Sequence, residues 1–464
     1  MRLVIVQPVP GARAMRRAYR DEVAALGAAL RQRRHAVTLL LFDRFDENAV
    51  ASAIRDAQPE LILMYVEGLA ADLAFRAAGA VAASRGAPLI PFGPHARLCP
   101  DECLSMAGAE AVAVGHADFT IPPYLQMRGR SLDLPRAPGL WVKCETGVMR
   151  NPPPRPPATL ADQPPPARDL YPPEQMLDPA GLAWCSVARG GEDAGLEVPV
   201  QADPAAAWST ASWPTRHRPV DACVAEMLAV ADEQIDIGGW RIGNERWASS
   251  PKWVADFTGR YRKDIALPLH TTLYAPDVKD QGAALLARAG CEEVVLNVGS
   301  ASTFIRNEVL GLGISTEAIV GAFDALRRAR VPTVARIQIG APYETGVTLE
   351  ETVALLKRLD PDRVEAVLHF PAPGSRSYRV AKENGWLVPD PAAAYLAGVP
   401  AVKVPALSAE EISAACELLP YVIHRPRLVP LLRFARRVRM GRRGTAYDLV
   451  VKPLLAPPHR RGRR

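Results

Sequence analysis

No run of 18 apolar residues occurs in this chain, so nothing in it reads as a membrane span. The seven cysteines are an odd number scattered from Cys99 to Cys416, which excludes a secreted disulfide framework. Aromatic residues make up only 6%. No GxGxxG follows the first apolar stretch and no GxxxxGK[ST] occurs anywhere, which speaks against a dinucleotide fold and a P-loop nucleotidase. The opening MRLVIVQPVPG lacks the length and cleavage site of a signal peptide and reads as a buried strand. A cytoplasmic protein is therefore expected.

Proline is plentiful at 44 residues, and positive charge gathers at one end. Residues 421–464 hold 12 Arg and one Lys against one Asp, so the first 420 residues carry −6 of the chain's net +6. A tail of this kind usually forms a solvated end, although an acidic partner could use it. Its arginines do not interleave with aromatics, which disfavours a nucleic-acid partner. The 48% hydrophobic and 23% charged fractions are those of a globular protein, and 464 residues exceed one ordinary core.

Short apolar runs alternate with helical patterns through residues 1–135. Strands are expected at Arg2–Pro8, Val37–Phe42, Leu61–Val66, Leu89–Phe92 and Ala111–Val114. Unbroken apolar strands separated by helices imply an open, doubly wound, Rossmann-like parallel sheet whose ligands sit beyond the C-terminal strand ends. Residues 136–180, with NPPPRPPATLADQPPPARDLYPP, read as a linker or strap. Strand–helix units return over 181–387 and fit a partial TIM-type β/α barrel, although a second open sheet fits the same pattern. Residues 388–464 read as a small helical region ending in the Arg-rich tail.

Barrel strand ends face the active mouth, which would gather His270, Asn297, Gln338 and His369, joined from loops by Glu245 and Arg189. Each of the two histidines could equally be a hydrogen-bonded wall residue. Gly340–Thr345 forms a sharp loop in which Glu344 caps the next helix, accepts from a ligand amine or merely shapes a turn. In the first domain, Gly93-Pro94-His95 and Gly115-His116-Ala117-Asp118 end strands where glycine lets a ligand approach the backbone. Cys99 and Cys103 form a CxxxC pair, too few thiolates for a closed metal site without help.

These motifs, taken together, resemble the cobalamin-dependent (class B) radical S-adenosylmethionine enzymes. FGPHARLCPDECL (92–104) is similar to the family run of two glycines, any residue, His-Ala-Thr and a later Pro-Glu-Glu. AVAVGHAD resembles the segment that ends Gly-Glu, and PPPARDLYPP the Pro- and Arg-rich connector. In the second half, Leu286–Cys291 with VVLNVGSAS, then FIRNEVL, RIQIGAPYET and HFPAPGSRSY resemble the fourth-, fifth- and sixth-strand landmarks, in order. The resemblance implies a cobalamin-binding first domain, with Pro10, Gly68, Gly93, His95, Gly115 and His116 as cofactor candidates. It implies S-adenosylmethionine in the barrel, where Asn297 and Glu344 are cofactor candidates.

One departure is decisive. The family holds a [4Fe–4S] cluster through CxxxCxxC just after Arg-Gly. Here Arg189-Gly190 is followed by Gly191, Gly195 and Val198 at the three ligand places. None can coordinate iron, no other three cysteines are suitably grouped, and no 4Fe–4S cluster is expected. Two functions follow. One is methyl or alkyl transfer to a small-molecule substrate by a non-radical route, with Glu245, His270 and His369 as acid–base candidates and Arg336 for an anionic group. The other is a catalytically inactive relative serving as a cofactor- or substrate-binding subunit for a protein partner.

Overall fold

A computed structural model describes the chain apart from residues 10–17, 43–45, 84–86, 131–133, 153, 155–156, 190–213, 233–236, 429 and 431–464. Two compact units divide it: Met1–Trp247 with Gly259–Leu269 and Ala372–Arg379, and Ala248–Thr258 with His270–Pro371 and Val380–Arg464.

The first elements are β1 (Arg2–Pro8), α1 (Asp21–Gln32), β2 (Ala36–Phe42), α2 (Glu47–Ala57), β3 (Leu61–Tyr65), α3 (Ala71–Ala83) and β4 (Leu89–Phe92). They are followed by α4 (Pro94–Leu98), α5 (Pro100–Leu104), β5 (Ala111–Ala113), α6 (Ala117–Gly129), β6 (Leu140–Cys144) and β7 (Gly147–Arg150). Four strands pair in parallel in the order β2-β1-β3-β4. Leu89 bridges Ala109 in parallel, which brings β5 beside β4. The order 2-1-3-4-5 is a doubly wound arrangement, as the strand–helix alternation implies. Alternate residues of one strand serve the two faces. Leu3, Ile5 and Leu63 pack with Val23, Leu26 and Leu30 of α1. Val4, Val6, Ile62 and Met64 pack with Val50, Ile54, Ala77 and Val81. Burial on both faces is why these strands read as continuous apolar runs.

The stretch read as linker differs in its first part. β6 pairs antiparallel with β5, and β7 with β6, around a two-residue turn between Cys144 and Gly147. Pro-dense neighbours hide this hairpin from periodicity. The rest behaves as a strap. Ala167 N–H donates to the Ala24 carbonyl, and the Tyr171 hydroxyl donates to Gln7 Oε1 at 2.6 Å.

The second half contains β8 (Leu182–Ser186), β9 (Ala188–Arg189), β10 (Arg216–His217), α7 (Val220–Asp232), β11 (Gly239–Gly243), α8 (Pro251–Asp264), β12 (Leu269–Leu273), α9 (Asp280–Arg288) and β13 (Cys291–Gly299). After these come α10 (Thr316–Arg328), β14 (Thr333–Ile339), α11 (Gly346–Leu359), β15 (Arg363–Leu368), α12 (Arg376–Glu383), α13 (Pro391–Leu396) and α14 (Ala409–His424). Six strands form one sheet in the order β15-β14-β13-β12-β11-β8, the partial β/α barrel topology. Ser315 caps α10 by accepting from Ala318 N–H. For α11 the cap is Thr345, with Thr348 closing a capping box, rather than Thr348 itself. Leu428–Val438, a further expected helix, falls largely outside the described residues. Among those described, no helix is long and apolar enough to cross a membrane.

A buried charge cluster fastens the strap. Arg168 donates through Nε to Glu226 Oε1 at 2.8 Å, and Arg218 donates to Glu226 Oε2 at 2.6 Å. Burial pushes the Glu226 carboxyl up, but the two guanidiniums outweigh it and hold its pKa below the usual value. The Arg168 guanidinium also lies 4.5 Å from the centre of the Tyr19 ring. Removing one member of a buried pair strands its partner. Arg168→Met should therefore cost about 3–5 kcal/mol, and Glu226→Gln should lower the thermal midpoint comparably. A shift in the Arg168→Met midpoint no larger than that of a surface substitution would contradict this.

Candidate functional site

In the first unit, the loops at the C-terminal ends of β3, β4 and β5 carry the expected cofactor residues. Gly68 opens a single 3-10 turn just past β3. Gly93 follows β4 at φ +107°, where a Cβ would meet the Tyr65 ring and the Val66 carbonyl at 2.9 Å. Only glycine fits there without strain. Gly115 and His116 lie between β5 and α6. Pro10 lies outside the described residues.

Ion pairs border these loops. Arg20 meets Glu67 at 2.8 Å, and Arg97 meets Glu22 at 2.6 Å. Inside them the polar groups are buried. Burial, with help from Arg97 and Arg189, holds the His116 pKa well below its usual value. Burial raises the Asp118 pKa, and the pull of Arg189 only partly offsets it. Both Asp118 carboxyl oxygens and the Thr120 hydroxyl are buried with no hydrogen-bond partner among the described residues. Buried polar groups are normally satisfied, so such orphans mark a place where a ligand would contribute. Asp118 was quoted in the sequence motif but not chosen as a site residue. Its signal was an acid in the first turn of a helix that follows a strand end directly.

The second unit holds His270, Asn297, Arg336, Gln338, Glu344 and His369 of the barrel candidates, whereas Arg189 and Glu245 belong to the first. Arg336 and Gln338 share one face of β14 by their period of two. Arg336 Nε donates to Glu365 Oε2 at 3.1 Å, and its Nη1 lies 3.5 Å from Asn297 Oδ1. His369 follows β15 directly and places Nδ1 2.9 Å from Gln338 Oε1. An amide oxygen accepts, so Nδ1 carries the proton. That leaves the buried Nε2, which has no hydrogen-bond partner among the described residues, as an acceptor. Burial lowers the His369 pKa to about 4, so the ring is neutral at ordinary pH.

Glu344 is also buried, and its carboxyl accepts from the Gly340 N–H of its own loop. Burial raises its pKa to about 7, although that hydrogen bond works the other way. Gly340 sits at φ +87°, where a Cβ would press on Ile412. Tyr343, at φ +66°, is edge-on to both Phe304 and Trp386.

His270 does not join this group. It is the second residue of β12, at the strand start, with Nδ1 3.9 Å from Glu293 Oε1. Three residues, Thr271–Leu273, separate it from the C-terminal end of the strand. Glu245 lies two residues past β11. Arg189 ends β9 and is buried. Gly191, Gly195 and Val198 lie outside the described residues. All seven cysteines are described and none is in a disulfide. No three of them gather into a metal-binding group.

No family model matches the chain. An "uncharacterized methyltransferase PH0819" of Pyrococcus horikoshii is 24% identical over 328 residues, 69% of each chain. The radical S-adenosylmethionine methyltransferase TsrM of Kitasatospora setae, solved with tryptophan substrate and a S-adenosylmethionine analogue, superposes with a TM-score of 0.63 at 17% identity. That match covers 82% of this chain and 76% of TsrM. The cobalamin-dependent S-adenosylmethionine radical enzyme OxsB, with aqua-cobalamin bound, gives 0.63 at 14% identity, over 83% of this chain and 56% of OxsB. The chain therefore has the fold of cobalamin-dependent radical S-adenosylmethionine enzymes, without the cluster cysteines.

The two buried titrating groups of the barrel act with opposite signs. Glu344 has a raised pKa, so its contribution to stability is complete below its ordinary value near 4.5 and is lost as pH rises through about 7. His369 has a lowered pKa, so its contribution is complete above 6.5 and is lost as pH falls through about 4. Each shift corresponds to about 3 kcal/mol at most. Glu344→Gln should shrink the fall in melting temperature from about pH 5 to about pH 8. His369→Gln should shrink the fall on acidification. Melting curves across pH check both signs.

Proposed function

We propose that the chain binds cobalamin at the C-terminal edge of its first sheet. In this reading it moves a methyl or alkyl group onto a small organic substrate by a polar route, without a [4Fe–4S] cluster. One observation carries the reading: the fold of TsrM and OxsB is joined to a sequence with Gly191, Gly195 and Val198 where the family has thiolates. The methyltransferase name of the Pyrococcus relative points the same way.

The residues at the edge suit the group. Cobalamin is a large macrocycle fringed by neutral amides. Burial raises the Asp118 pKa and lowers that of His116, so both are shifted toward their uncharged forms, which hydrogen-bond to amides. Asp118 and Thr120 would supply the polar contacts. Gly68, Gly93 and Gly115 would let the backbone approach. His95 is buried beside Glu102, which assigns its ring a role in holding the loop. Bound there, cobalamin would supply a metal centre able to carry a methyl group.

The barrel residues would prepare the substrate, with S-adenosylmethionine as the proposed methyl source and Asn297 as its contact. Arg336 would hold an anionic group by exchanging its Glu365 partner for the ligand. His369 Nε2 would accept a hydrogen bond or proton from the substrate, with Gln338 fixing the tautomer. Glu245 remains a loop candidate for a second acid–base group. His270, at the start of its strand, has no part in this scheme.

Purification with added hydroxocobalamin tests the reading. After gel filtration the visible spectrum should show one corrinoid per chain, and an iron assay should show none. Asp118→Leu should weaken corrinoid binding about tenfold, whereas Asp118→Asn should largely retain it. Loss of the corrinoid from the unaltered protein would favour the inactive-relative reading. A four-iron cluster after anaerobic reconstitution would overturn the cluster-free part.

A further inference from the structure

One group of side chains is left unused by this scheme. His95, Cys99 and Glu102 lie at positions i, i+4 and i+7, which share one side of a helical path. The path runs through α4 and α5, broken at Cys99 by Pro100. Backbone bonds hold it together, with Cys99 N–H donating to the His95 carbonyl and Cys103 N–H to the Cys99 carbonyl.

The three side chains converge. One ligand atom from each lies within 4.8 Å of the others. His95 Nε2 is 3.3 Å from Glu102 Oε2. His95 is only 2% exposed, yet among the described residues neither ring nitrogen makes a hydrogen bond. A buried imidazole whose contact is the Glu102 carboxylate rather than a hydrogen bond is a costly arrangement that coordination would relieve.

We propose that His95, Cys99 and Glu102 bind a borderline divalent metal ion of the zinc type. The donor set of one imidazole nitrogen, one thiolate and one carboxylate oxygen suits such an ion. Ligands about 2.0–2.3 Å from a tetrahedral centre stand roughly 3.3–3.8 Å apart. Closing from 4.8 Å is a matter of side-chain rotation, and the half-exposed Glu102 has room to rotate. Water would complete four-fold coordination. Cys99 and His95 would be deprotonated at their ligating atoms, so binding releases the thiol proton to solvent. The ion would clamp the turn after β4, just beyond the strained Gly93. Nearby, a Cβ on Gly374 would lie 2.7 Å from the Leu98 carbonyl, so the loop at 372–375 packs directly on α4. The site makes no use of a corrinoid, and its test is read without one.

The full chain, prepared reduced and free of corrinoid, is titrated with cobalt(II) chloride and then with zinc chloride. One equivalent of cobalt should bind and give the visible bands of a four-coordinate ion with a sulfur-to-cobalt charge-transfer band. Zinc should displace it. Cys99→Ser should abolish the charge-transfer band, and His95→Gln should weaken binding about 100-fold or more. Glu102→Gln should weaken it about tenfold, and Cys144→Ser should change nothing. Circular dichroism confirms that each variant is folded, and the half-exposed Cys99 and Glu102 keep the test open should His95→Gln fail to fold. Failure of the reduced protein to take up one equivalent would overturn the proposal. So would an unchanged charge-transfer band in Cys99→Ser.

Discussion

A single buried carboxylate, Glu226, is shared by two guanidiniums, and much of the first unit depends on it. Arg168 comes from the Pro-rich strap, Arg218 from just before α7, and Glu226 from α7 itself. Arg168 also donates to the Trp184 carbonyl of β8 and packs over Tyr19 beside α1. One side chain thus ties the strap to a strand, to a helix and to the residue two places ahead of α1. Charges buried this deeply persist only when paired, so the strap has one stable path. Tyr171 and Gln7 extend the same tie into β1.

Burial has a second consequence, at the places where ligands would enter. It removes charge where solvent would allow it. Asp118, Glu344, His116 and His369 all shift toward their neutral forms, and burial is the first cause in each case. Acidic and basic side chains nearby stand in close pairs, such as Arg97 with Glu22 and Arg336 with Glu365. Neutral, buried polar groups bordered by ion pairs make sites that discriminate by hydrogen-bond pattern rather than by charge. That property suits an amide-rich cofactor better than a phosphate.

The first sheet was the most legible part, because both of its faces are covered. Its strands are unbroken apolar runs that the sequence marks nearly to the residue: Arg2–Pro8 and Leu89–Phe92 match the observed β1 and β4. The β6–β7 hairpin was missed because its outer strand is exposed and has no apolar alternation to notice. His270 lies inside an apolar run, and the run alone does not say that it stands at the second position of β12, three residues before the C-terminal end. Among site residues, the glycines were readable, since Gly93 and Gly340 are where the backbone needs φ above zero.

The chain alone determined the composition of the site: which strand ends carry glycine and histidine, and that no thiolates follow Arg189-Gly190. Those are facts of covalent order, fixed before folding. Tertiary structure decided which groups are charged and which meet. Asp118 became significant only once burial removed its water, and His95, Cys99 and Glu102 became a group only once two short helices set them within reach. Desolvation and convergence depend on distances through space, and those distances are set by how the elements pack.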